Sequence, residues 1–120
     1  MNQRIYKVVS RRLWAEAERA GVFRGAPIDL QDGFIHFSAA GQVVETVAKH
    51  FAGQTDLLLI EIDAATLGEA LKWEVSRGGD VFPHLYGSLP LESVRVAVDL
   101  PLRPNGTHAF PTNVSDGSDG

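Results

Sequence analysis

Apolar residues in the first half of the chain recur at two spacings, one typical of strands and one typical of helices. Residues 4–9 form a short run rich in β-branched and aromatic side chains, which predicts a strand. In residues 11–20 and 39–51 apolar side chains recur every three or four positions, so both segments are predicted helices. Residues 34–37 predict a second strand, and the glycines and proline within residues 24–33 predict a loop.

Small polar residues and glycines indicate where the two predicted helices begin and end. Ser10 and Ser38 stand directly before them, in the position of an N-cap. Gly21 and Gly53 follow them, where a helix stop is expected. We therefore expect the helix boundaries at these four residues.

The second half of the chain carries shorter elements. Residues 57–62 are nearly all apolar, which predicts a strand buried on both faces. Asp63 is the predicted cap of a short helical turn, and residues 91–93 predict another turn. Residues 94–98 alternate valine with Arg95 and Ala97, which predicts a half-exposed strand.

Hairpin-length connections in this half determine the predicted fold class. Short strands at residues 71–75 and 81–82 surround a predicted turn at residues 77–80. Connections this short favour antiparallel pairing, because parallel strands need a longer crossover. We therefore predict an α+β fold with mixed or antiparallel sheets and two main helices.

A length of 120 residues predicts one domain. We place its folded part at residues 4–111. Residues 112–120 are rich in Asp, Ser and Gly, which predicts a flexible tail that is dispensable for stability.

Charge and composition exclude several classes of protein. The formal net charge is −4, which argues against binding to nucleic acid through bulk charge. The absence of cysteine excludes disulfides, thiolate metal sites and a cysteine nucleophile. No apolar run approaches the roughly 20 residues of a membrane span, and the N-terminus has no signal-peptide core, so we predict a cytoplasmic protein without a membrane partner.

His36 is the most informative candidate for chemistry, because an ionisable side chain in an apolar strand needs a partner. It either makes structural hydrogen bonds or contacts a ligand, and the sequence leaves both open. Ser38 is a predicted helix cap, and the same helix N-terminus could also attract a phosphate group.

Further candidates lie in the second half of the chain. Trp73 is either a core residue or a stacking wall for a ring, and Glu74 and Arg77 either pair at the surface or hold ribose hydroxyls and phosphate. His84 and Tyr86 lie in a segment bounded by Pro and Gly, where functional groups tend to concentrate.

A metal site is the rival use of the histidines. No two of them have the close spacing of a helix or strand ligand pair, so we predict no metal. The remaining two, His50 and His108, are predicted to be exposed.

Four motifs together resemble a small bacterial family of unknown function that is sometimes labelled glutathione S-transferase-related. They are the Ile-Tyr-Lys of residues 5–7, the block from Ala26 to Ser38, the Leu-Lys-Trp-Glu of residues 71–74 and the Phe-Pro-His-Leu-Tyr-Gly of residues 82–87. The family is placed by fold with the ADP-ribosyltransferases. The order of elements in residues 5–63 is also similar to that of RNA 2′-phosphotransferases of that fold.

The resemblance implies an ADP-ribosyltransferase-like fold and, as candidate ligand or cofactor, a nucleotide-like small molecule such as NAD. It places His36 and Ser38 beside the NAD pocket of the related enzymes. The hypothesis is one cleft in which His36 or His84 acts on a ribose, Ser38, Trp73, Glu74 and Tyr86 line the walls, and Arg77 contacts phosphate. The alternative is a non-catalytic binding or interaction module, which Lys7-Val8-Val9 favours because it stands where the phosphotransferases carry His-Gly-Thr.

Overall fold

The most apolar run of the chain forms the strand at the centre of the fold. The computed structural model describes residues 3–111 and 114, and for Arg77 it describes the backbone alone. Leu57–Asp63 is the central strand, and all of it except Asp63 is buried. It pairs with Arg4–Ser10 on one side and with Val94–Asp99 on the other, as its apolar sequence predicts.

Within these residues the chain forms three sheets, three α-helices and three 3-10 turns. The strands are β1 (Arg4–Ser10), β2 (Val22–Phe23), β3 (Ile35–His36), β4 (Ser38–Ala39), β5 (Leu57–Asp63), β6 (Leu71–Val75), β7 (Val81–Leu85), β8 (Leu89–Pro90) and β9 (Val94–Asp99). The helices are α1 (Arg11–Ala20), α2 (Pro27–Asp32) and α3 (Ala40–His50), and the 3-10 turns cover Ala64–Ala70, Arg77–Gly79 and Leu91–Ser93.

The sheets have the strand orders β4-β1-β5-β9, β2-β8 and β3-β7-β6. Every strand pair among them is antiparallel. The α+β class with antiparallel sheets is therefore confirmed, and α1 and α3 are the two main helices.

Two hydrophobic cores cover the two faces of the four-stranded sheet. On one face, Ile60 and Ile62 pack in a cluster with Trp14 and Ala17 of α1. On the other face, Leu59 packs in a cluster with Val43 and Val47 of α3. Alternate residues of β5 thus serve different cores, which is why nearly every position of that strand is apolar.

The predicted ends of α1 are confirmed. The Ser10 Oγ accepts a hydrogen bond of 3.0 Å from the backbone N–H of Leu13, as an N-cap does. Gly21 has a φ of 82°, the left-handed conformation that glycine adopts at little cost.

The predicted loop at residues 24–33 is wrong in part, because it contains α2. Pro27 begins this helix, and the side chain of Asp29 accepts a hydrogen bond from the backbone N–H of Ala26. Gly33 ends the helix with a φ of 88°. A helix of six residues is too short to display an apolar period.

The segment after α2 divides between two sheets where one strand was predicted. β3 pairs with β7, whereas β4 pairs with β1. Ser38 is therefore a strand residue, and its prediction as the cap of α3 is wrong. Ala39 precedes the helix instead, and the Gln42 Oε1 accepts a hydrogen bond of 2.9 Å from the Ala39 N–H.

The predicted hairpin is confirmed as β6 and β7, with β7 extending to Leu85. Asp63 caps the 3-10 turn that follows β5, since its side chain accepts from the N–H of Ala65 at 3.1 Å. α3 ends at His50, before the predicted stop at Gly53.

The predicted tail, residues 112–120, lies outside the described residues apart from Val114. The side chain of Val114 is 2% exposed and belongs to the core cluster beneath α3. No helix among the described residues is long and apolar enough to cross a membrane.

Candidate functional site

One face of the three-stranded sheet gathers most of the predicted site residues. His36 of β3 lies directly opposite His84 of β7, and their rings are 5.5 Å apart between centroids. Glu74 on β6 is a diagonal neighbour of His84, and Tyr86 follows His84 by two residues and lies on the same face. The sheet therefore brings His36, His84, Glu74 and Tyr86 together.

His84 and Tyr86 share one carboxylate oxygen. The Nδ1 of His84 lies 2.8 Å from the Glu74 Oε1, and the Tyr86 hydroxyl donates to the same oxygen at 2.8 Å. Because a carboxylate accepts, the Nδ1 of His84 carries the proton of this hydrogen bond. Together, His84 and Glu74 form an oriented imidazole–carboxylate pair of the kind that enzymes use for proton transfer.

The second ring nitrogen of His84 has no partner among the described residues. His84 is 4% exposed, and its Nε2 is buried without a hydrogen bond. A buried polar atom without a partner costs roughly 1–3 kcal/mol. Native structures contain few such atoms, and each calls for an explanation such as local strain, a catalytic role, or a bound water or ion.

Phe34 is the aromatic centre of the cluster, and the sequence did not single it out as a site residue. Its ring stacks on His84 with centroids 4.2 Å apart and lies 4.7 Å from the ring of His36. The ring of Tyr86 lies 5.2 Å away on a tilted plane. Alternation along the strand predicts that Phe34 and His36 share a face, and this was the available signal.

His36 is held at both ring nitrogens by residues of α2. Its Nδ1 lies 2.6 Å from the Asp29 Oδ1, and its Nε2 lies 2.9 Å from the Asp32 Oδ2. The Asp29 Oδ1 also accepts from the His36 backbone N–H at 3.1 Å. Both nitrogens are therefore engaged within the protein, as the structural interpretation of His36 predicts.

Asp29 joins this histidine to the central sheet through Lys7 of β1. The Lys7 Nζ lies 3.0 Å from the Asp29 Oδ1 and 2.9 Å from the Oδ2, and both side chains are buried. Burial opposes ionisation of Asp29, but bonds from His36, the charge of Lys7 and the N–H of Ala26 outweigh it and lower the pKa of Asp29 to about 2. Burial also lowers the pKa of Lys7, and Asp29 opposes part of that effect.

The pKa values of Glu74 and Tyr86, at the exposed edge of the cluster, are also shifted. The hydrogen bonds from His84 and from Tyr86 lower the pKa of Glu74, because they stabilise its ionised form. The bond to Glu74 raises the pKa of Tyr86. Glu74 is therefore an ionised acceptor at neutral pH and Tyr86 a neutral donor.

Three predicted site residues stand apart from this cluster. Trp73 pairs with Pro83 and therefore lies on the opposite face of the sheet from His84. Ser38 is buried in the four-stranded sheet, where its Oγ lies 3.4 Å from the Thr46 Oγ1. The backbone of Arg77 forms part of the turn between β6 and β7, and its side chain lies outside the described part of the chain.

Two depressions open on the surface near these residues. One has a volume of about 240 Å³ and is lined by Arg24, Asp29, Leu30, Gly33, Phe34, Ile35, Gly87 and Ser88. The other, of about 280 Å³, lies beside Trp73 and Leu71. Both volumes are below the roughly 300–1,000 Å³ of pockets that enclose a whole ligand.

Among residues 3–111 and 114, no group of His, Asp and Glu side chains could hold a metal ion. The prediction that His108 is exposed is wrong. It is 5% exposed, and its Nε2 donates to the backbone carbonyl of Gln54 at 2.8 Å. His50 is exposed, as predicted.

Comparison with known proteins assigns the chain to a family. Residues 8–97 match the model of the family described as protein of unknown function DUF952. The chain belongs to the DUF952 family. The predicted resemblance to a family of unknown function is confirmed to that extent.

Solved structures agree with this assignment. The DUF952 chain is similar to the crystal structure of CC0527 from Caulobacter crescentus, with 47% identity, a TM-score of 0.88, and coverage of 92% of this chain and 97% of that one. The solution NMR structure of CC0527 gives 50% identity, a TM-score of 0.79, and coverage of 87% and 90%. No curated protein matches the chain.

Besides Phe34, the sequence did not indicate three members of this cluster, which are Lys7, Asp29 and Asp32. Asp29 and Asp32 lie in α2, which the sequence did not predict, and Lys7 is a charged residue in the middle of an apolar strand. A lysine between Tyr6 and Val8 was a signal, because a buried ammonium group requires a buried carboxylate.

Proposed function

We propose that this DUF952 protein binds a small ligand that carries ribose hydroxyls, such as a nucleoside, a nucleotide or part of NAD, at the face formed by Phe34, Glu74, His84 and Tyr86. The observation that carries the proposal is the buried Nε2 of His84, which has no partner among the described residues. A ligand hydroxyl would supply the missing hydrogen bond.

The hydrogen-bond acceptors of this face favour a ligand that donates hydrogen bonds. With its one ring proton on Nδ1, His84 has a lone pair at Nε2. Glu74 is ionised, and its side chain is 38% exposed. Phe34 and Tyr86 offer ring surface next to these acceptors, so a hydroxylated ring system suits the face.

His84 is also the residue that we assign to proton transfer. Glu74 fixes its orientation, and Tyr86 in turn fixes the carboxylate. His84 would accept the proton of the bound hydroxyl at Nε2, while the pair with Glu74 stabilises the charge that develops on the ring. His36 would act as a positioning residue that holds the edge of the cluster.

The resemblance to ADP-ribosyltransferases supports NAD as the source of such a ligand, and we propose an ADP-ribosyltransferase-like fold on the same ground. The described depressions are small for a whole dinucleotide. The residues present fit one nucleoside unit of NAD, so the proposal is limited to that unit.

A non-catalytic binding module is the second candidate. The engagement of both ring nitrogens of His36 favours it, since His84 alone of these two facing histidines has a ring nitrogen without a partner among the described residues. Ligand binding without turnover is its expected behaviour, and the assay below separates the two by following both the melting temperature and the chemical fate of the ligand.

A thermal-shift series tests the proposal. The purified chain is melted with NAD, ADP-ribose, adenosine, AMP and ribose, and a ligand at about 100 times its dissociation constant adds roughly 2.7 kcal/mol of stability. We expect this to raise the melting temperature by several degrees. Chromatography of the same samples would show whether the ligand is converted.

His84→Gln and His50→Gln form a matched pair of variants, because His50 is an exposed histidine on α3. We expect His84→Gln to abolish the ligand-induced shift and His50→Gln to retain it, each measured against its own unliganded melting temperature. Absence of any shift with all five compounds, or an equal shift in both variants, would contradict the proposal.

A further inference from the structure

We propose that the 240 Å³ depression beside Phe34 binds a phosphate group, so that the ligand of the site is a nucleoside monophosphate. This inference rests on the proposed function, because Phe34 is shared between the depression and the ring cluster around His84. A base or ribose on the cluster would place its phosphate in the adjoining depression.

Arg24 supplies the charge for this site. It lies in the exposed loop between β2 and α2 and makes no hydrogen bond or ion pair with any residue that the structure describes. A guanidinium group binds a phosphate through two parallel N–H donors. Ser88, which also lines the depression, adds an exposed hydroxyl donor.

Asp29 also lines the depression, and the charge of its carboxylate is compensated. Lys7 contacts both of its oxygens, and the N–H groups of Ala26 and His36 donate to it as well. Because of these hydrogen bonds and the lysine charge, Asp29 repels an anion in the depression only weakly. A paired carboxylate repels an anion far less than an isolated carboxylate does.

The size of the depression decides between a mononucleotide and a dinucleotide. Its volume is below that of a pocket that encloses a whole drug-sized ligand, so it suits a single phosphate group. The flanking residues Gly33 and Gly87, with φ values of 88° and 152°, leave open space where a side chain would otherwise stand.

An NMR titration of the full chain, whose mass is 13.0 kDa, tests the inference. ¹⁵N-labelled protein is titrated separately with adenosine, AMP and inorganic phosphate, in the native form and as Arg24→Gln. Arg19→Gln is the control. Arg19 is an exposed arginine in the last turn of α1, and its substitution by glutamine removes the same charge.

We expect AMP to bind at least about tenfold more tightly than adenosine, which is the effect of one or more charge-assisted hydrogen bonds. Arg24→Gln should reduce the AMP affinity to that of adenosine and leave adenosine binding unchanged, whereas Arg19→Gln should alter neither. Phosphate alone should shift the amide signals of Gly33, Gly87 and Ser88 in the native protein and not in Arg24→Gln.

The outcomes separate this inference from the proposed function. Equal affinities for adenosine and AMP, both sensitive to His84→Gln, would overturn the phosphate site and retain the nucleoside site. Phosphate and AMP binding that depends on Arg24 and not on His84 would support the phosphate site and refute the proposed function. If neither AMP nor phosphate binds, the inference is overturned.

Discussion

At the scale of single residues, the ion pair between Lys7 and Asp29 organises the site. Asp29 is 1% exposed and receives bonds from Lys7, from the Ala26 N–H, and from both the backbone and the ring of His36. Asp29 therefore connects the four-stranded sheet, α2 and the three-stranded sheet. Removing one partner of such a pair leaves an uncompensated buried charge, which typically costs about 3–5 kcal/mol.

The stability of the protein should depend on the ionisation of Asp29. Its pKa is lowered to about 2 in the folded chain, whereas an unfolded aspartate titrates near a pKa of about 3.9. The stabilisation is therefore complete above about pH 4 and is lost as the pH falls toward about 2. Urea unfolding across this range should show the decline in the free energy of unfolding. The decline should be smaller in Asp29→Asn.

Lys7→Met provides the matched test of the same pair. Without the ammonium group, burial is opposed less and the pKa of Asp29 should lie closer to that of an unfolded aspartate, so the loss of stability on acidification should be smaller and should end at a higher pH than in the native chain. NMR titration of the Asp29 carboxyl carbon would report the shift directly. An unchanged pKa of Asp29 in Lys7→Met would show that His36 and Ala26 alone hold it down.

At the scale of elements, long apolar periods were predictable and short elements were not. β1, α1, β5 and the β6–β7 hairpin follow from spacing, because each has enough residues to show a period or a boundary. α2 has six residues, and β3 and β4 have two each, so tertiary contacts determine them.

The candidate site combines these two cases. Alternation on β3 and β7 could place His36, His84 and Tyr86 on one face, and it did so. The split of residues 34–39 between two sheets was not predictable, because one continuous strand satisfies the same pattern. The face occupied by Trp73 depended on the register with Pro83, which the sequence does not encode locally.

Leu59 tests the assignment of β5 as the buried central strand. It is 2% exposed and packs in the core beneath α3, so Leu59→Ala should destabilise the chain by about 2–5 kcal/mol. Leu30→Ala is the control, because Leu30 is 66% exposed on α2. Its effect should stay within about 0.5 kcal/mol. Denaturant unfolding measures both, and equal losses would contradict the packing described here.

At the scale of the whole molecule, the second core extends beyond the predicted domain boundary. Val114 is buried with Leu100, Tyr6 and the apolar face of α3, and its N–H donates to the carbonyl of Pro111 at 3.0 Å. Burial of one valine contributes roughly 1.5–3 kcal/mol. Val114 itself is therefore part of the second core.

Truncation should reveal this contribution. We expect removal of residues 112–120 to lower the melting temperature by several degrees. Truncation directly after Val114 should lower it less, and Val114→Ala in the full chain should reproduce part of the loss. If removal of residues 112–120 left the melting temperature unchanged, the sequence-based prediction of a dispensable tail would be correct.

The central claim is that the Nε2 of His84 receives a hydrogen bond from a ligand, and the imidazole ¹⁵N spectrum of His84 measures it most directly. In the free protein at slightly alkaline pH, Nδ1 should give the signal of a protonated nitrogen and Nε2 that of an unprotonated one, since Glu74 accepts from Nδ1. With AMP bound, the Nε2 signal should move to the position of a hydrogen-bond acceptor. A protonated Nε2 in the free protein, or a signal that AMP leaves in place, would contradict the account.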